Sequence, residues 1–335
     1  MDKKLTVSAS PHIHSSETTT GIMLDVIIAL MPAAVVSVIF FGLHALAVLA
    51  TSVISSVVFE YVSRKIMKRS NTLGDLSAVV TGIILAFNLP STLPLWIVVI
   101  GTFIAIVIVK QMFGGIGQNF VNPAITSRII LMTSFPQLMS TWTQPLVTTN
   151  AGEDAVTAAS PLALMADITK SDDLKAAMEA AGLPTLKDMF LGLRPGSMGE
   201  VCAAALLIGF AYLLIRKVIS PIIPLTFIGT VAVCMFIAGK GNLTFVAYQL
   251  LSGGLLLGAI FMATDYTTSP INKKGKVIFG IGCGLITSLI RLFGVLPEGV
   301  SFSIILMNIL VPHIENLTTP KPFGSVKEKK EEAKS

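Results

Sequence analysis

Leu76–Pro90 reads LSAVVTGIILAFNLP, and Leu251–Asp265 reads LSGGLLLGAIFMATD. Each run opens on Leu-Ser, continues in apolar and small residues, and is followed after a similar distance by an aromatic-glycine turn. Those turns are MFGGIGQN at Met112–Asn119 and LFGVLPEG at Leu292–Gly299. Two glycine-rich membrane helices can look alike by chance, but two landmarks recurring in the same order point to an internal repeat.

Around these runs the chain is apolar. Of its 335 residues 53% are hydrophobic and 13% charged, against about 25% charged in soluble domains. Ten stretches approach the ~20 residues that cross a hydrocarbon layer as a helix. They lie near Ile22–Phe41, Leu43–Val62, Leu76–Leu89, Leu95–Phe113 and Ala124–Met139, then Val201–Ile215, Ile222–Ala238, Phe245–Ala263, Val277–Phe293 and Val300–Ile314. The third is short and ends in FNLPSTLP (Phe87–Pro94), which predicts a broken or tilted helix. With five spans per half, the second copy must be inverted. The expected fold is an all-α integral membrane protein of about ten transmembrane helices, arranged as two inverted five-helix repeats.

Charge sets the orientation. Lys3 and Lys4, Arg64-Lys65 with Lys68-Arg69, Arg216-Lys217, Lys273-Lys274 with Lys276, and the lysine-rich tail fall on one side if there are ten crossings. The positive-inside rule makes that side the cytoplasm. The expected organisation is a cytoplasmic tail (1–21), a first repeat (22–140), an extracytoplasmic loop (141–199), a second repeat (200–315) and a cytoplasmic tail (316–335). No cleavable leader is evident at the start. The formal charge of +5 is spread in short clusters between spans, so lipid rather than nucleic acid is the expected partner.

Cys202, Cys234 and Cys283 are isolated in apolar runs, and the four histidines are scattered. Buried free thiols and no metal site are expected.

The outer loop holds EDAVTAASPL (Glu153–Leu162), in which Asp154, Thr157 and Ser160 form D-x-x-T-A-A-S. The two alanines leave the Ser160 hydroxyl sterically open to esterification. A plain solvated loop is the alternative. GGIGQNFVNPA (Gly114–Ala124) lacks the strand and spacing of a nucleotide fingerprint. Asn119 and Asn122 there either line a cavity or cap a helix. In FMATDYTTSP (Phe261–Pro270), Thr264 and Asp265, with Thr267 and Thr268, either meet a ligand or cation or cap a helix end.

Ionisable groups in spans are costly and so are candidates. Lys110 and Arg291 are expected to snorkel to the interface. Asp25 is too short to do so. It is expected to hold a passing cation or to pair with Arg128 or another base, and Asp265 is a second candidate for the ion path.

The loop pattern resembles the flavinylation signature D-x-x-[ST]-[GAS]-A-[TS]. Other stretches extend the resemblance: SPHIHSSETTTGIMLDVIIALMPA (Ser10–Ala33), KQMFGGIGQNFVNPA (Lys110–Ala124), FMATDYTTSP, and LIRLFGVLPEGVSFSIILMNILVPHI (Leu289–Ile314). Together they make the chain similar to the D subunits of Rnf complexes and, more distantly, to the B subunits of sodium-translocating NADH:quinone reductases. The resemblance implies FMN joined by a phosphoester to Ser160, where the family commonly has Thr, and installed by a flavin transferase. It also implies a second, non-covalent flavin such as riboflavin within the membrane part, with Asn119, Asn122, Thr264 and Asp265 as candidate contacts.

By the same resemblance, the chain sits in the bacterial cytoplasmic (inner) membrane with both termini inside, beside the A, B, C, E and G subunits of the complex. It would move electrons between ferredoxin and NAD coupled to sodium or proton translocation, with no catalytic residue of its own. The rival reading is a cofactor-free permease or channel on the same repeat. A covalent flavin on Ser160 separates the two, since inverted repeats host many functions.

Overall fold

The computed structural model describes residues 17–146, 157–171, 174–200, 202–294 and 298–320. The described residues are helical throughout, apart from turns, connecting segments and one isolated antiparallel bridge between Thr143 and Thr157. Asp154 lies outside them, as do His12, His14 and the lysine-rich tail after residue 320.

The first helix, α1, runs Thr19–Ile66, 48 residues. Straight, it would be about 72 Å long, more than twice a ~30 Å hydrocarbon layer. It is broken at Gly42, whose φ of 73° and ψ of −160° are non-helical. The left-handed φ suits a residue without a Cβ. One residue therefore separates the first two apolar runs.

The exposed and buried faces of α1 are reversed relative to a soluble helix. Leu24, Ile28, Met31, Val35 and Ile39 form an exposed stripe, while Ala29, Ala33, Ala34 and Ser37 are buried. α13 (Lys273–Phe293) repeats this, exposing Ile281, Leu285 and Leu289 and burying Gly280, Gly284, Thr287, Ser288 and Arg291. Lipid-facing helices keep small and polar residues for their neighbours. α13 packs closely on α10 (Ile222–Ala238). A Cβ on Gly280 would collide with Thr226 Oγ1, and one on Gly284 would collide with Thr230 Cβ. On its other side, Thr287 Oγ1 donates to Ser303 Oγ of α14 (Val300–Thr318) at 2.8 Å.

Among the described residues, three helices, α1, α13 and α14, are long and apolar enough to cross a membrane. Shorter apolar helices are α2 (Ser77–Phe87), α3 (Leu95–Gln111, π-helical from Ile104), α9 (Ala203–Ile215) and α10. The eighth apolar run, expected as one span from Phe245 to Ala263, is instead a pair, Leu243–Leu251 (α11) and Leu255–Met262 (α12), bent by 66°. Arg291 explains the break, since it takes the carbonyls of Gln249 (2.6 Å) and Ser252 (3.0 Å) that a continuous helix would use internally.

The short third run ends as expected. α2 stops at Phe87, and Asn88, Leu89, Ser91 and Leu93 follow as buried irregular chain. Irregular backbone at such depth must bond within protein, and it does. Met198 and Gly199 donate their N–H groups to the carbonyls of Leu89 (3.2 Å) and Phe87 (3.0 Å).

After α3 come α4 (Pro123–Ser134) and α5 (Pro136–Met139). The polar interval beyond them carries α6 (Pro161–Thr169), α7 (Leu174–Ala180) and α8 (Leu186–Leu191). α6 rests on α11 and α13, with Leu162 buried beside Gly253.

Candidate functional site

Asn122 is the N-cap of α4. Its Oδ1 accepts from the N–H groups of Ala124 (3.1 Å) and Ile125 (3.3 Å), satisfying two donors that a helix start leaves open. Its Nδ2 donates to the Met262 carbonyl at 3.3 Å, tying α4 to the end of α12. Asn119 donates locally to the Val121 carbonyl at 3.1 Å. Thr264 Oγ1 donates to the Ile260 carbonyl at 2.6 Å, and Asp265 Oδ1 accepts from the Thr267 N–H at 3.3 Å. Capping and local turn bonds therefore account for part of what these side chains do.

They also share one cavity. Asn119, Asn122, Thr264 and Asp265 line a space of about 320 Å³, together with Lys110 and aliphatic and aromatic groups such as Ile84 and Phe261. Mostly apolar walls with a few polar groups are the usual make-up of a small-molecule site, and this volume lies at the lower end of the common range. Burial pushes the Asp265 carboxyl above its ordinary range. The Thr267 N–H, the Thr268 hydroxyl and the charge of Lys110 oppose that rise.

Lys110 and Arg291, expected to snorkel, are both buried instead. The Lys110 ammonium donates to Glu60 Oε2 (2.8 Å) and Ser77 Oγ (2.6 Å), while Arg291 serves the broken helix described above. Partners within the protein remove the need to reach the interface. Arg128 is likewise not the partner of Asp25. It is buried and bonds Asn88 and Glu298, so it joins the break after α2 to the loop before α14. Asp25 pairs with Arg216 (Nη2 to Oδ2, 3.2 Å) and accepts from Tyr212 Oη at 2.8 Å.

Glu60 does not stand out in the sequence reading, yet it is wholly buried and also accepts from Thr72 Oγ1 at 3.0 Å. The signal is present, because Glu60 is an acid inside the second apolar run. Glu200 and Glu298, which gather with Arg128 around Gly254, escape that reading as well, since each sits just outside an apolar run.

Ser160 lies apart from the cavity residues, at the N-cap of α6, with Pro161 at the first helical position. Its Oγ accepts from the Ala163 N–H at 3.2 Å. Thr157 is exposed and bridges to Thr143. A phosphate esterified to Ser160 would meet the N-terminal end of α6, where free N–H groups and the helix dipole favour negative charge. The residue thus fits the group that the flavinylation pattern implies. Cys202 and Cys283 are buried free thiols, and Cys234 is half-buried.

The family model described as "NQR2, RnfD, RnfE family" matches residues 6–324. The chain is 48% identical, over 98% of both sequences, to the D subunit of the Na(+)-translocating ferredoxin:NAD(+) oxidoreductase complex of Acetobacterium woodii. It is 43% identical, over 96% of both, to the D subunit of the proton-translocating complex of Clostridium ljungdahlii. It is 33% identical to the D subunit of the ion-translocating oxidoreductase complex of Actinobacillus succinogenes, over 95% of this chain and 97% of that one. A multi-pass membrane protein with apolar helices of this kind, matched along nearly its whole length, belongs to the NQR2, RnfD, RnfE family.

Proposed function

We propose that this chain is the flavin-carrying membrane subunit of an ion-translocating ferredoxin:NAD oxidoreductase, an Rnf complex in which it works with the A, B, C, E and G subunits. It moves electrons across the bacterial inner membrane, coupled to sodium or proton movement, and is not catalytic alone. Relatives named for sodium and for proton translocation are both similar to it, so their names leave the cation open. The observation that carries the reading is the convergence of Asn119, Asn122, Thr264 and Asp265 on one cavity, in a chain matched end to end by such subunits.

In this reading Ser160, within D-x-x-T-A-A-S, holds FMN through its hydroxyl on the outer side, after a flavin transferase has acted. The cavity holds a second, non-covalent flavin, riboflavin by preference, because its sole lining cation among the described residues is already paired. When bound, such groups supply the electron-accepting chemistry. The protein's part is position: Asn122 fixes the seam between α4 and α12, and Lys110 and Asp265 set the charge around the cavity. Ten crossings as inverted repeats (22–140 and 200–315), with cytoplasmic tails (1–21 and 316–335) and an outer loop (141–199), put the two sites on opposite sides.

The test is a denaturing gel under ultraviolet light combined with extraction. The full-length band should fluoresce, Ser160→Ala should be dark, and denaturation should release a second flavin from both. A fluorescent Ser160→Ala band, or no released flavin, overturns the corresponding assignment.

A further inference from the structure

The cavity carries one cation and one acid among its described lining residues, Lys110 and Asp265. An ammonium has three N–H donors. Lys110 gives one to Glu60 Oε2 at 2.8 Å and one to Ser77 Oγ at 2.6 Å. It is 3% exposed and Glu60 is 0% exposed. Desolvation on that scale strengthens any charge interaction at short range.

Glu60 is itself held, because Thr72 Oγ1 donates to its other oxygen, Oε1, at 3.0 Å. Lys110 also lies in the π-helical part of α3, Ile104–Gln111. Such segments are rare and concentrate at functional sites.

We infer that Lys110 is the group that tunes the redox potential of the cavity's occupant, using its third N–H and a positive charge that Glu60 holds partly in check. This deepens the proposed function and rests on the cavity holding a flavin. An electron delivered from ferredoxin adds one negative charge to the cavity. Lys110 keeps all three protons, no covalent bond forms or breaks, and its remaining N–H and charge favour the reduced state. Glu60 opposes that effect by neutralising the ammonium, so the pair sets the potential between two limits. Asp265, on the same cavity, adds a fixed opposing influence whenever it is ionised.

The arrangement makes a signed prediction. Glu60→Gln keeps the shape of the side chain and its contact with Thr72 while removing the counter-charge, so the potential should rise. Lys110→Met alone strands a buried carboxylate and risks misfolding. The double variant Glu60→Gln/Lys110→Met leaves neither charge behind, and relative to Glu60→Gln its potential should fall.

The measurement is a spectroelectrochemical titration of the full-length chain in detergent, supplied with riboflavin. A Ser160→Ala background removes the covalent signal. A tenfold change in the equilibrium between Glu60→Gln and the double variant is expected, about 59 mV for a one-electron step. Equal potentials in those two variants would overturn the role of Lys110 even with flavin bound. A parent chain that binds no riboflavin would overturn the cavity reading beneath it. A purely packing role for Lys110 would change stability and leave the potential where it was.

Discussion

Asp25 and Arg216 are separated by 191 positions and meet through three contacts of 3.2–3.3 Å between one carboxylate and one guanidinium. The partners differ in environment. The Asp25 side chain is 8% exposed and that of Arg216 is 55% exposed. A buried acid facing an arginine that opens to solvent is reachable from that side. Asp25→Asn keeps the hydrogen bond from Tyr212 and removes the charge. The complex should assemble with normal flavin content and little change in melting temperature, while the coupling of ferredoxin:NAD electron transfer to cation movement, measured with sodium and with protons, weakens. Unchanged coupling to both cations would restrict Asp25 to a packing role.

Arg128 is held differently. It is buried and connects Asn88 to Glu298. Removing one member of a buried pair leaves the other charge stranded, at a cost of about 3–5 kcal/mol. Arg128→Met should therefore lower the thermal stability of the detergent-solubilised chain severely. Adding Glu298→Gln should recover much of the loss. If the double variant is no more stable than the single one, the pairing is not the source.

The contact between α10 and α13 depends on the missing Cβ of Gly280, which would collide with the Thr226 hydroxyl. Overpacking of this kind costs about 1–3 kcal/mol. Gly280→Ala should destabilise to that extent, and Thr226→Ala in the same chain should restore most of it. A double-mutant cycle on thermal unfolding reads the coupling directly.

Ser160 has two separable duties. As an N-cap it is worth about 0.5–2 kcal/mol to the start of α6, and as a hydroxyl it is the proposed FMN attachment point. Ser160→Thr preserves both and should give a fluorescent band. Ser160→Asp preserves the cap alone and should give a stable but dark one. A fluorescent Asp variant would move the attachment elsewhere.

Topology has its own check. Cysteine labelling at Lys170 and at Lys330 should report opposite sides of the membrane, as ten crossings require. Labelling of both from one side would discard the inverted arrangement and the outer position of Ser160.

The apolar runs are legible in the sequence because a helix that meets lipid must carry its hydrophobic residues outward, and the positions of Leu24, Ile28 and Met31 obey that rule residue by residue. Asp25 is legible for the same reason, as an acid where none is cheap. Its partner is not. Periodicity says which face a residue occupies but not which distant charge shares it, and so the sequence offers Arg128 as a base where Arg216 holds the site. Asn122 and Met262 meet across 140 positions, and no local pattern reports that. The π-helical turn that carries Lys110 is equally hidden, since a shift from i−4 to i−5 bonding leaves no mark in composition. The break at Ser252–Gly254 is half visible. Its glycine pair can be read, but the arginine that stabilises the bend lies 39 positions from Ser252.

Asn122 and Arg128, at the start and middle of α4, each reach into the second half of the chain, to Met262 and to Glu298. Two such rivets at different depths resist both sliding and tilting of one half against the other. A carrier that rocks to pass its cargo would have to shear them at every cycle and re-form buried polar bonds each time. Electrons need no such opening, because they cross closed protein over short gaps. Under the proposed function, the riveted seam gives this chain the build of a stator, a stationary mount for the flavins proposed at Ser160 and in the cavity.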